Sequence, residues 1–258
     1  MSKTTNILFC QQLLLKIAAV SGSFPAYIVL VKLALLSAIF NYTLSQSIRK
    51  TRLSIGKKTS LPDVFAHIYA YGAFLIDQQT IAAGKFNSFS CKVTGAEILQ
   101  SMLDKKKGVV IVGANIGNPD VAWELISRQF SSGNKIIIAD VKTAQEEYRA
   151  ALTNNAIVCM MGDSHSDAGH QSHDFLDGKQ NFPLLPFTCA AETGAAVIVV
   201  IVTKTGQAKY TVKFHPAIQF DAVTPENRDK YVFTAVERYV GILEQAIKQN
   251  PVQWLNSF

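Results

Sequence analysis

The sequence predicts an α/β fold: a mostly parallel central sheet flanked by helices, preceded by an apolar helical N-terminus. Three observations lead there. From residue 108 onward, short apolar runs rich in β-branched residues (GVVIVG, KIIIA, AIVCMM, AAVIVVIV) alternate with stretches of helical spacing. Strands apolar on both faces belong to a parallel sheet covered by helices. Second, the 258 residues are 48% hydrophobic and only 17% charged, ample to bury a sizeable core. Third, residues 7–44 are strongly apolar but are cut by Lys16, Pro25 and Lys32. Each uncharged piece falls short of the ~20 residues that a membrane span needs.

Taken in order, residues 7–44 read as two apolar helices. They lie in a membrane interface with lysines at the headgroup level, or they are core helices of a soluble domain. Lys16 interrupts the apolar run and no clear cleavage site follows, so a signal peptide is weakly supported. The basic cluster Arg49, Lys50, Arg52, Lys57 and Lys58 suits anionic headgroups, or is a solvated loop. Residues 1–50 are therefore expected to be membrane-associating and 51–258 to form the α/β domain. Ser60-Leu61-Pro62-Asp63 reads as a helix start, with Ser60 as N-cap and Pro62 in the first turn, and the helix runs to about residue 83. A short strand is expected at 89–93 and a helix at 96–104, where Lys105, Lys106 and Lys107 complement the helix dipole.

Then comes the alternation: strand 108–112, helix 120–130, strand 135–139, helix 144–152, strand 156–160. A polar, His-rich loop is expected over 162–181. A helix at 185–192 leads into strand 196–202, and strand 210–214 returns antiparallel after the Gly206 turn. Pro225 opens a last helix over 226–249, and NPVQWLNSF closes the chain. Trp254 there anchors the tail at an interface or packs in the core.

The formal charge of +6 suggests an acidic partner: a membrane surface, nucleic acid or a phosphorylated ligand. The four cysteines, Cys10, Cys91, Cys159 and Cys189, are scattered without a C-x-x-C pair, which argues against a zinc knuckle or disulfide framework and fits a reducing compartment.

The stretch that invites chemistry is GVVIVGANIGNPD, residues 108–120, a strand breaking through a small-residue turn into a helix. Strand, turn and helix resemble the signature of the lysophospholipid acyltransferase superfamily, and more closely that of the bacterial lipid A biosynthesis (late) acyltransferases, roughly H-x-G-N-W-E. Gly117 and Asn118 match, and Asp120 stands where that family carries its acidic residue. Asp163 after the strand ending at Met161, the segment GKQNFPLLPFTCAAETGAAVIVV and Pro251-x-Gln253-Trp254 resemble further family segments in the same order. The likeness covers about residues 45–258. It implies transfer of an acyl group, carried as the thioester of an acyl or peptidyl carrier protein, to a hydroxyl of lipid A. The inner membrane's cytoplasmic face is then the working surface. No cofactor beyond that donor is implied, and no nucleic acid.

One departure stands out. The family's catalytic His is Asn115 here, and an amide cannot act as a general base near neutral pH. Pro119 replaces the family's aromatic. In a first reading Asn115 polarises the acyl carbonyl or the acceptor, and the base is Asp120 or a group of the loop: Asp163 with one of His165, His170 or His173. Gly117 and Asn118 would shape the substrate site, with Lys142, Arg149 and Lys179 facing lipid phosphates or a carrier protein. The helix beginning near Pro119 would offer its N-terminal amides and dipole to an oxyanion or phosphate. A branch of the superfamily that transfers glycine lacks close similarity to the fatty acyltransferases, and the missing His resembles that branch. A glycylated lipid A would carry added amines, lowering outer-surface negative charge and weakening cationic peptide binding. A second reading is a catalytically inactive lipid-binding relative. A third, a dinucleotide-binding loop, fits poorly, because Gly113-x-x-x-Gly117 lacks the G-x-G-x-x-G spacing. Metal binding by His165, His170 and His173 is a weaker option, and no metal is expected.

Overall fold

A computed structural model describes residues 23–139, 144–164 and 169–255, together with Lys16. Lys142 and His165 lie outside the described residues. The core is a six-stranded sheet of strand order β1-β8-β7-β2-β4-β3. Its members are β1 (Ser90–Thr94), β2 (Val109–Gly113), β3 (Ile136–Ile138), β4 (Ile157–Met161), β7 (Ala196–Gly206) and β8 (Lys209–Phe214). The pairs β2–β4, β2–β7, β3–β4 and β1–β8 are parallel, and only β7–β8 is antiparallel. The expected mostly parallel sheet is therefore what forms, with the antiparallel return in the expected place.

The strand sequences explain why both faces are covered. Alternate residues Val110, Val112, Val158, Met160, Val197 and Val199 enter one apolar core. Their neighbours Val109, Ile111, Ile157, Cys159, Ile198 and Val200 enter the other. On the first face lie α6 (Gln145–Thr153), α7 (Leu185–Thr193) and α8 (Arg228–Gln249). On the second lie α4 (Ala96–Asp104) and α5 (Pro119–Phe130).

The stretch expected as a polar loop is corrected in its second half. Residues 170–183 form a two-stranded antiparallel hairpin, β5 (His170–Phe175) and β6 (Gly178–Pro183). The period-2 signal is present, since His173, Phe175 and Phe182 turn inward while His170 and Asp174 face out. A histidine at an inward position disguises it. Here His173 packs its ring 5.1 Å from Phe233 and 6.2 Å from Phe182.

Ahead of the sheet come α1 (Ser23–Phe40), α2 (Tyr42–Leu53) and α3 (Leu61–Ala82). Helix α1 packs Ala26, Leu30, Ala34 and Ala38 against α3 and leaves Phe24, Ile28, Val31, Leu35, Ile39 and Phe40 outside, each at least 46% exposed. No single described helix is long and apolar enough to cross a membrane, and only the pair Phe24–Phe40 plus Tyr42–Leu53, bent by 88°, passes jointly. The basic cluster is not all loop. Arg49, Lys50 and Arg52 belong to α2, and Arg52 is buried and bridges Asp63 at 2.9 Å. Its charge therefore ties α2 to α3 and is withheld from any headgroup.

Helix α3 starts as its sequence dictates. The Ser60 hydroxyl accepts the Asp63 N–H, and the Asp63 carboxylate accepts the Ser60 N–H at 2.8 Å, a reciprocal capping box. Ser60→Ala is expected to cost about 1 kcal/mol. Thermal denaturation should register this as a fall of about 2–4 °C in a chain of this size.

Candidate active site

The turn between β2 and α5 is held from three sides. Gly117 has φ +64, and a Cβ there would sit 2.3 Å from the Val202 carbonyl oxygen. Only glycine allows the turn to lie this close to β7. From the C-terminus, the segment 250–255 runs beside the turn as a strap. The Gly117 N–H donates to the Gln253 carbonyl at 2.9 Å, and the Leu255 N–H donates to the Asn115 carbonyl at 2.9 Å. The Gln253 side chain clasps the Lys204 backbone on β7, accepting its N–H at 2.7 Å and donating to its carbonyl at 2.8 Å. The strap is itself pinned, with the Trp254 carbonyl 3.1 Å from the ring of buried His67 on α3. Trp254 packs 5.7 Å from Phe175, a core position and not a surface anchor. So two sequence segments, Gly117-Asn118 and Pro251-x-Gln253-Trp254, meet at one place.

The third side is Asp163, 4% exposed, just after β4. Its carboxylate accepts the Asn115 N–H at 2.9 Å and the Asn115 side-chain Nδ2 at 3.1 Å. Below it, the fully buried Tyr239 donates its hydroxyl to the Gly113 carbonyl at 3.1 Å. Burial, and then the neighbouring Asp163 charge, raise that phenol well above its ordinary pKa, so it stays a donor. With one Nδ2 hydrogen committed, the Asn115 side chain retains a second N–H and its amide oxygen Oδ1, and the residue is partly exposed.

Asp120 is engaged elsewhere. Its Oδ2 accepts Nε2 of Gln78 from α3 at 2.7 Å, and it remains partly exposed. Asn118, fully buried, caps α5: its Oδ1 accepts the Asp120 N–H at 3.1 Å, and its carbonyl accepts the Val121 N–H at 3.2 Å. Pro119 has no N–H to offer. The expectation that the first-turn amides of this helix are open to a ligand is thus corrected, because Asn118 takes them. What α5 still contributes is its dipole field.

The remaining expected residues are dispersed. His170 is exposed at the start of β5, while His173 lies buried under aromatic rings on the opposite side of the same strand, so the two do not converge. Arg149 bonds Glu192 on α7, which Arg228 also reaches, and Lys179 is exposed 3.9 Å from Asp174. Among the described residues, the turn gathers Asn115, Gly117, Asn118, Asp120 and Asp163.

Several residues at this place carry no sequence motif: Gln78, His67, Tyr239, and a buried group formed by Asp77, Lys204, Tyr27 and Tyr210. Asp77 is 1% exposed and accepts the Tyr27 hydroxyl at 2.6 Å, the Tyr210 hydroxyl and the Lys204 ammonium. A lone carboxylate within the apolar run FLIDQQ is the one signal that points to them, since a buried charge requires partners.

Residues 99–256 match the model of the bacterial lipid A biosynthesis acyltransferase family, and the chain belongs to that family. It is therefore an acyltransferase, and its reaction is acyl transfer onto a lipid A-like substrate. Members of the family are membrane-associated. No curated protein matches the chain.

Gly117→Ala should cost about 2 kcal/mol or more, because both the φ and the Val202 contact are violated, and should lower transfer with it; denaturant unfolding and lipid mass analysis check the two effects. Histidine protonation gives a second expectation. Burial above all, with Arg52 adding repulsion against the opposing Trp254 bond, pushes His67 down to about 4 from 6.5. Burial with Lys213 and Arg238 does the same to His215. The unfolded chain therefore binds more protons between these values, so stability is complete above about pH 6.5 and declines as pH falls toward 4. Melting temperatures measured from pH 7.5 to 4.5 should fall, less steeply in His67→Gln.

Proposed function

We propose that this acyltransferase moves an acyl group, with an aminoacyl (glycyl) group favoured, from a carrier-protein thioester to a hydroxyl of lipid A at the cytoplasmic face of the inner membrane. The observation that carries the proposal is the division of labour between two carboxylates. Asp163 is buried and committed to Asn115, whereas Asp120 is partly exposed and holds one neutral donor.

Asp120 is the base. The acceptor hydroxyl oxygen attacks the thioester carbonyl carbon as its proton passes to the Asp120 carboxylate. The carbonyl oxygen becomes an oxyanion, which the second Nδ2 hydrogen of Asn115 stabilises, backed by the α5 dipole. Collapse breaks the carbon–sulfur bond, and the departing thiolate takes the proton from Asp120. Asp163 fixes the Asn115 amide so that its free hydrogen and carbonyl oxygen keep their directions.

The favoured donor follows from the acceptor groups at the turn. The Asn115 carbonyl oxygen and the Asp163 charge offer a polar, electronegative environment, which suits the ammonium of a glycyl thioester better than a fatty chain. The exposed apolar face of α1 and the other basic residues on and after α2 support seating on an anionic bilayer. The net positive charge supports pairing with an acidic carrier protein.

The loss of the family's histidine favours one competing reading, an inactive lipid-binding relative. Mass spectrometry of lipid A from cells with and without the gene separates them: a glycine-sized gain supports the proposal, a fatty-chain gain changes the donor, and no gain supports the inactive relative. Asp120→Asn should reduce the mass-shifted species by about 100-fold or more, and Asn115→Ala by a similar order. Unchanged lipids in both variants would exclude these roles.

A further inference from the structure

Resting on that assignment of Asp120, we propose that Asp77 is a positioning residue for it, acting through Tyr210 and Asn118. Adjacent residues of α3 then reach Asp120 from two directions. Gln78 bonds its carboxylate directly. Asp77 sets the orientation of the amide that caps its backbone N–H.

The argument follows donor and acceptor roles along the chain. Asp77 is buried beside the Lys204 ammonium, which is 15% exposed and bonded to it. As a carboxylate with a cationic partner, Asp77 is an acceptor only. The Tyr210 hydroxyl donates to Asp77 Oδ2, so its proton is spent. The Tyr210 oxygen is then left to accept. It takes one bond from Lys204 Nζ at 3.3 Å. Burial first, and then the Asp77 charge, raise the Tyr210 pKa, against a small opposing influence of the neighbouring Asn118 side-chain amide. Asn118 is fully buried, and its Nδ2 has no hydrogen-bond partner among the described residues. An acceptor-only oxygen beside it is where Nδ2 belongs. With Nδ2 turned to Tyr210, Oδ1 faces the helix and accepts the Asp120 N–H at 3.1 Å.

The reverse amide orientation would aim an NH₂ group at the helix's own N–H and leave both donors opposed. Asp77 therefore selects the capping orientation from two bonds away. Tyr27 of α1 completes the carboxylate's shell, donating at 2.6 Å and accepting from Lys204 at 2.9 Å. Helix α1, whose outer face is apolar, is thereby joined to the same relay that seats the base.

The experiment is a double-mutant comparison that separates orientation from simple packing. A serine at position 118 caps the helix with a hydroxyl that rotates freely, so it needs no partner to orient it. Tyr210→Phe is made in the Asn118 chain and in the Asn118→Ser chain, and mass-shifted lipid A formed per unit of protein in the membrane fraction is followed over time. Any loss of stability from the missing hydroxyl falls on both backgrounds alike, and melting in detergent verifies this. Tyr210→Phe is expected to slow transfer about tenfold with Asn118 present and by less than about twofold in the Asn118→Ser chain. Equal slowing in both backgrounds, or no slowing in either while Asp120→Ala abolishes the mass shift, overturns the relay alone. A mass shift that survives Asp120→Ala overturns the role of Asp120 itself, and the relay with it.

Discussion

The bond between the Asp163 carboxylate and both nitrogens of Asn115 is the constraint on which the site depends. It joins the end of β4 to the turn leaving β2, two parallel neighbours in the sheet. A buried carboxylate needs compensation, and two N–H donors supply part of it. The same bond decides what Asn115 can do. An unrestrained amide would present donor or acceptor indifferently, whereas a clamped one presents each in a set direction. This restraint gives the turn a fixed amide, whose donor and acceptor point in set directions, at the position of the family's histidine.

Around that bond the chain converges from distant segments. The C-terminal strap, the β7 backbone and α3 each contact the turn, and Gly117 permits the closest approach. Such over-determination holds a short turn rigid without help from the open amides of a helix. Asn118 consumes those amides, so α5 acts through its field and through the position it gives Asp120. The polar group under the site works by the same logic. Asp77, Lys204, Tyr27 and Tyr210 satisfy one another in a region where an unpaired member would be costly.

The N-terminal helices divide polar from apolar by face. Inward positions of α1 are Ala26, Tyr27, Leu30, Ala34 and Ala38, and outward positions apart from Lys32 are mostly large and apolar. A contiguous apolar face of this kind on an otherwise well-packed protein marks a surface that another phase or partner covers. Members of the family are membrane-associated. Arg52 illustrates why charge counting misleads here: it sits within a basic run and spends its charge on Asp63.

Much of the fold is legible in the residues. Val109 to Val112 and Ala196 to Val202 read as strands because both faces are apolar, and Ser60 with Asp63 marks a helix start by a bond within four residues. These are local signals, and local physics fixes them. The hairpin escapes such a reading because His173 stands at an apolar position, and its pairing across β6 is not a feature of its own neighbours. The site is half legible. The Gly117-Asn118 turn and Asp120 announce themselves, and Gln253-Trp254 does so as a second segment without a stated destination. That Asn115 answers to Asp163 and not to Asp120, that Asp120 answers to Gln78, and that Lys204 lies on Asp77 are matters of contacts 42 to 127 residues apart. Periodicity and capping determine elements because their energies arise within a turn or a strand. Partners are decided when those elements pack, since only burial makes a charge or an amide seek one particular neighbour.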